Sequence, residues 1–71
     1  MLTLRERFGD RIRQIRRSRD LTQEEFAEVI GISVDFLSLI ERGINAPSFE
    51  TIDQIALRLH IPVIALFTFD H

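Results

Sequence analysis

Seventy-one residues, 45% of them hydrophobic, suffice for one domain and are too few for two. The absence of cysteine excludes a disulfide framework and a cysteine-based zinc site, and no signal-like segment or run of about eighteen apolar residues is present, so the expected compartment is a reducing cytoplasm with no membrane insertion. The net charge of -2 conceals an uneven split: residues 1–20 hold seven arginines against three acids, whereas residues 21–71 hold two arginines against eight acids.

Over residues 4–18, Leu4, Phe8, Ile12 and Ile15 form the stripe of an amphipathic helix with arginines on its other faces. In the stretch LTQEEFAEVIG, Thr22 is the N-cap and Glu25 stands in capping-box relation to it. Phe26, Ala27 and Ile30 supply an inner face and Gly31 the stop, which gives a helix of about nine residues. Ser33 caps a third segment, SVDFLSLIERG, with Leu37 and Ile40 inward and Gly43 at its end, the residue best able to turn left-handed. Asn45, Ala46 and Pro47 make a loop, after which Ser48 caps a fourth helix bearing Ile52, Ile55, Ala56 and Leu59. Pro62 favours the first turn of a fifth short helix, VIALF. A strand over IPVIALFTF suits the β-branched and aromatic residues, but no second strand-like run exists to pair with it. The expected fold class is all-α, a compact bundle of five short helices forming one domain over residues 1–71.

Residues 23–42 combine two short helices with a tight turn. Ala27 is small where the helices meet, Gly31 permits the positive φ of the turn, and Phe26, Ile30, Ile32, Leu37 and Ile40 close the core around it. The run LTQEEFAEVIGISVDFLSLIERGINAPSFETIDQIALRLHI closely resembles the helix-turn-helix family of phage repressors, Cro proteins and XRE-type regulators. The likeness lies in Leu-Thr-Gln-Glu-Glu, in Gly-Ile-Ser, in Ile-Glu-Arg-Gly and in Pro-Ser before an amphipathic helix, and it covers roughly nine-tenths of the chain.

The resemblance implies a lambda-repressor-like domain that binds double-stranded DNA as a dimeric transcriptional regulator, repressors among its kind, with the third helix in the major groove. Its operator would have two half-sites about one helical turn apart. Gln23 matches a phosphate-holding position at the start of the second helix, where free N–H groups attract anions; read without the resemblance it is a surface glutamine. Arg42 matches another phosphate-facing position. Ser33, Asn45 and Ser48 are candidate donors to the same strand, although capping explains both serines equally well. Arg16 and Glu41 correspond to a structural ion pair between the first helix and the end of the third. Arg11, Arg13, Arg17 and Arg19 either line the DNA backbone or form a solvated face, since arginine suits both phosphate contacts and internal ion pairs.

The outward face of the third helix departs from the usual pattern. Val34, Asp35, Ser38 and Leu39 include no Arg, Lys, Asn or Gln, so the common bidentate purine contacts are missing. What remains is Asp35 accepting from a cytosine amine, Ser38 bonding either way, and Val34 or Leu39 touching a thymine methyl. With Phe36 added the helix is apolar nearly all round, which implies that something covers it. This motivates a second reading: a protein-interaction module that uses the third helix and binds DNA weakly or not at all. Val63, Ile64, Leu66, Phe67 and Phe69 are the candidate dimer patch, or else they simply complete the core. No catalytic constellation or glycine-rich phosphate loop is evident, so no enzyme and no cofactor is expected. His60 and His71, with Asp70 the only nearby carboxylate, read as solvated side chains rather than a metal site.

Overall fold

The computed structural model describes residues 1–69, and its helices run α1 (Leu4–Ser18), α2 (Gln23–Ile30), α3 (Val34–Glu41) and α4 (Phe49–Leu59), followed by a 3-10 helix, Val63–Phe67. No strand occurs among the described residues, and the VIALF segment is helical, although as a 3-10 turn. Each α-helix starts on a hydroxyl cap. Thr22 Oγ1 accepts from the Glu25 N–H at 3.1 Å while the Glu25 carboxylate accepts from the Thr22 N–H at 2.9 Å. Thr3 and Glu6 repeat this reciprocal box at α1, with distances of 3.2 and 2.9 Å. Ser33 and Ser48 accept from Phe36 and Thr51 N–H groups, each at 3.1 Å. Two donors that would otherwise be orphaned are satisfied by each box, and one by each simple cap.

The helix ends are set by left-handed residues. Gly31, at φ 78°, returns its N–H to the Ala27 carbonyl at 2.8 Å, so the chain reverses within a few residues and α3 crosses α2 closely. At the end of α4 the same role falls to His60, a non-glycine at φ 58°.

One core unites all five elements. Phe8, Ile12 and Ile15 come from α1, Phe26, Ala27 and Ile30 from α2, Leu37 and Ile40 from α3, Ile52, Ile55, Ala56 and Leu59 from α4, and Leu66 from the 3-10 helix. α1 and α3 come together at Gly9, where an added Cβ would fall on the Ile40 carbonyl oxygen and lie 3.2 Å from that of Glu41. Close backbone approach therefore fixes how α3 is seated.

Three expectations are corrected by this packing. Leu4 is 56% exposed, because the first turn of α1 overhangs the core and the buried stripe begins at Phe8. Leu66 has no exposed surface and belongs to the core rather than to a dimer patch. Val34 and Phe36 are half-buried and pack against the core, so part of the apolar circumference of α3 is covered by the domain itself, and Val34 is not simply an outward-facing reader. Phe67 lies 5.1 Å from Phe8, and Phe69 stacks edge-on to Phe67 at 6.3 Å with the Arg7 guanidinium 5.3 Å above its ring. Asp70 and His71 lie outside the described residues.

Candidate nucleic-acid interface

A two-helix corner can present α3 to a partner only if its far end is held, and that end is anchored by a charged cluster. Glu41, the last residue of α3, is 3% exposed. Arg16 of α1 donates to it twice, from Nε to Oε2 at 2.8 Å and from Nη2 to Oε1 at 3.0 Å, and its Nη1 donates to the Leu21 carbonyl at 3.1 Å. Arg13 adds an Nε to Oε1 ion pair at 3.6 Å and an Nη2 bond to the Glu41 carbonyl oxygen at 2.8 Å. Burial pushes the Glu41 carboxyl up, but the bonds from Arg16 and Gln23 and the charges of Arg16 and Arg13 outweigh it and hold the group below its ordinary value. The bond to Glu41 in turn raises the Arg16 guanidinium.

Gln23 joins this cluster, since its Nε2 donates to Glu41 Oε1 at 3.2 Å. The amide is thereby fixed at the first residue of α2, and its second N–H has no partner among the described residues. Arg42 follows directly as the C-cap of α3, exposed, with Nε donating to the Ser38 carbonyl at 3.4 Å. It borders a shallow recess of about 230 Å³ whose lining also includes Glu6, Asp10 and Arg13. Ser33, Asn45 and Ser48 are all exposed; the Ser48 hydroxyl donates to Thr51 Oγ1 at 3.1 Å, which competes with donation to a phosphate. Along α3, Asp35 is exposed and Ser38 and Leu39 are half-buried, on the side away from Leu37 and Ile40.

The arginines of α1 divide by use. Arg11 Nε donates to the Ala65 carbonyl at 2.8 Å, Arg19 Nη2 to the Leu59 carbonyl at 3.0 Å, and Arg5 Nη1 to the Ile44 carbonyl at 3.4 Å. With Arg13 and Arg16 these side chains fasten the ends of α3, α4 and the 3-10 helix to α1, where a cation also meets the negative pole of a helix. Arg17 is exposed and its guanidinium makes no hydrogen bond or ion pair with a described residue. The basic excess of residues 1–20 thus serves mainly the fold, leaving Arg17 and Arg42 as the freer cations among the candidates. Sequence reasoning missed Gly9, the Thr3 box and these carbonyl clips; of the three, only the Thr-x-x-Glu of residues 3–6 carried a local signal.

A helix-turn-helix family model matches residues 12–66. The chain is 46% identical over 56 residues to the uncharacterized HTH-type transcriptional regulator YazB of Bacillus subtilis, covering 79% of this chain and 81% of that protein. It is 36% identical over 59 residues to the cryptic phage CTXphi transcriptional repressor RstR of Vibrio cholerae, covering 83% of this chain and 53% of RstR. The chain therefore spans about half the length of RstR, and about a third to two-fifths of some other curated relatives. Its fold superposes on the restriction-modification controller protein C.AhdI of Aeromonas hydrophila with a TM-score of 0.81 at 32% identity, covering 89% of this chain and 96% of that one. No helix among the described residues is long and apolar enough to cross a membrane. The family model, these relatives and the anchored α2–α3 corner agree: the chain belongs to the helix-turn-helix family of DNA-binding transcriptional regulators.

Proposed function

We propose that this protein binds double-stranded DNA sequence-specifically as a cytoplasmic, dimeric transcriptional regulator, with α3 lying in the major groove. The observation that carries the reading is the α2–α3 corner, in which Gly31 turns the chain while Arg16, Gln23 and Arg13 converge on Glu41 and hold the end of α3. In this docking Gln23 and the N-terminus of α2 hold one phosphate. Arg42, Arg17, Ser33, Asn45 and Ser48 supply further backbone contacts, which position the protein without reading sequence. The half-burial of Val34 and Phe36 supports DNA over a protein partner for α3, since it removes much of the apolar surface that such a partner would cover.

Dimerisation draws on the C-terminal region. Val63 is 41% and Ile64 72% exposed, while Phe67 and Phe69 retain partial exposure at the edge of the core. A symmetric pairing through these residues would present two copies of α3 to half-sites about one helical turn apart.

The test is titration of the purified protein against the duplex upstream of its own gene and against random-sequence duplex, at two salt concentrations. Tighter, salt-sensitive binding to the upstream duplex is expected. No binding to either duplex at low salt would overturn the reading in favour of a protein-interaction module. Sedimentation of wild-type and Ile64→Asp protein tests the dimer, which the charge is expected to dissociate.

A further inference from the structure

We propose that Asp35 makes α3 a reader of exocyclic base amines, so that each half-site presents a cytosine to this carboxylate; the inference rests on the docking of α3 proposed above. Asp35 is the second residue of α3, exposed, and its side chain makes no hydrogen bond or ion pair with a described residue. Ser38, Leu39 and Arg42 follow at offsets of three, four and seven, so all four share one side of the helix, away from buried Leu37 and Ile40. The N-terminal residues of a recognition helix are those that reach base edges, which puts Asp35 among the bases and Arg42, at the other end, beside the backbone. A carboxylate in the first turn also suits the positive pole of its helix, so the charge is tolerated there by the fold.

The choice of base follows from hydrogen-bond chemistry. A carboxylate only accepts, and in the major groove guanine and thymine offer acceptors where it would need a donor. Adenine and cytosine both offer an amine. In adenine the amine adjoins the N7 lone pair, which repels the second carboxylate oxygen, whereas in cytosine the neighbouring edge is a C–H. Cytosine is therefore the base that Asp35 admits with least penalty. The same negative charge opposes the phosphates of every duplex, so specificity comes partly from repelling wrong sequences. Apart from Arg42 at the backbone end, this side carries no usual purine-reading side chain, which leaves the carboxylate as the most discriminating group among those near the bases.

The experiment is selection from a randomised duplex library by the full chain, in parallel for wild type and Asp35→Asn, with circular dichroism to confirm that both are folded. Wild type is expected to fix a cytosine at one position of each half-site and to disfavour other bases there by roughly tenfold. The asparagine amide pairs with adenine through its oxygen, which accepts from the N6 amine, and its NH2, which donates to N7, so the variant is expected to exchange that cytosine for adenine and to bind random duplex more tightly. Asp35→Ala is expected to lose the preference without acquiring another. If all three proteins bind with salt sensitivity and select the same sequence, the role of Asp35 is overturned while the docking of α3 stands. If none binds any duplex at low salt, the docking fails and this inference fails with it.

Discussion

Arg16 grips Glu41 through two parallel N–H···O bonds of 2.8 and 3.0 Å, with the carboxylate side chain only 1% exposed and the arginine side chain 14% exposed. The pair joins the last turn of α1 to the last residue of α3, and Gln23 extends the join to α2. Three helices are therefore held in register by one carboxylate. Replacing such a pair with apolar residues of matched shape is often neutral, but removing one partner leaves a desolvated charge.

Arg16→Met is accordingly expected to destabilise the domain by about 3 kcal/mol, near the lower end for a broken buried pair because Arg13 remains beside the carboxylate. Arg16→Met combined with Glu41→Leu is expected to recover part of that loss. Urea denaturation of the two single variants and the double variant measures both; an Arg16→Met loss below about 1 kcal/mol would mean that the pair acts as an ordinary surface bridge.

The same carboxylate sets an acid limit. Glu41 titrates below its ordinary value of 4.5 in the folded protein, so below that value the unfolded chain binds more protons than the folded one. Its contribution is complete above 4.5 and is lost as pH falls through the lowered folded value. Glu6 and Glu25, lowered by their bonds from the Thr3 and Thr22 backbone and hydroxyl groups, act with the same sign. Melting temperature is expected to hold steady from pH 7 to about pH 5 and then fall. A Glu41→Gln variant is expected to start lower and fall less steeply.

Backbone geometry gives two predictions of opposite sign. Gly9→Ala sets a methyl against the Ile40 carbonyl and forces α1 from α3, an overpacking expected to cost about 2–3 kcal/mol. His60→Gly removes a side chain from a left-handed position and is expected to stabilise by up to about 1 kcal/mol, since the relief exceeds the added entropy of glycine in the unfolded chain. Melting temperature resolves both, as 1 kcal/mol corresponds to roughly 4–8 °C in a domain of this size.

These effects show where the sequence was legible. Thr22 with Glu25, and Gly31 at the turn, announced their structure because a cap or a left-handed turn is decided by residues within a few positions of one another. The hydrophobic period likewise placed Phe26, Ile30, Leu37 and Ile40 in the core. Gly9 and Leu66 were different. The tight contact of Gly9 is with a residue 31 positions away, and Leu66 sits in an apolar run with no periodic signal to separate the buried side chain from exposed Ile64. The division of labour among the arginines was hidden for the same reason, since Arg17 and Arg19 look alike until the Leu59 carbonyl arrives beside one of them.

That division gives the sharpest separation of fold from binding. Arg19 donates to the end of α4, so Arg19→Met is expected to lower stability by about 1 kcal/mol and to leave the salt dependence of DNA binding nearly unchanged. Arg42, exposed beyond α3, has a side chain that among the described residues is tied only to the Ser38 carbonyl of its own helix, at a long 3.4 Å. Arg42→Met is therefore expected to leave the melting temperature within a few degrees of wild type while weakening binding to every duplex alike and reducing the slope of log affinity against log salt by about 1 per protomer. Arg17→Met is expected to follow Arg42. Measuring melting and salt-dependent affinity on all three variants places each arginine on one axis or the other. An Arg42→Met protein with wild-type affinity at low salt would remove that residue from the interface and require α3 to meet DNA in a different orientation.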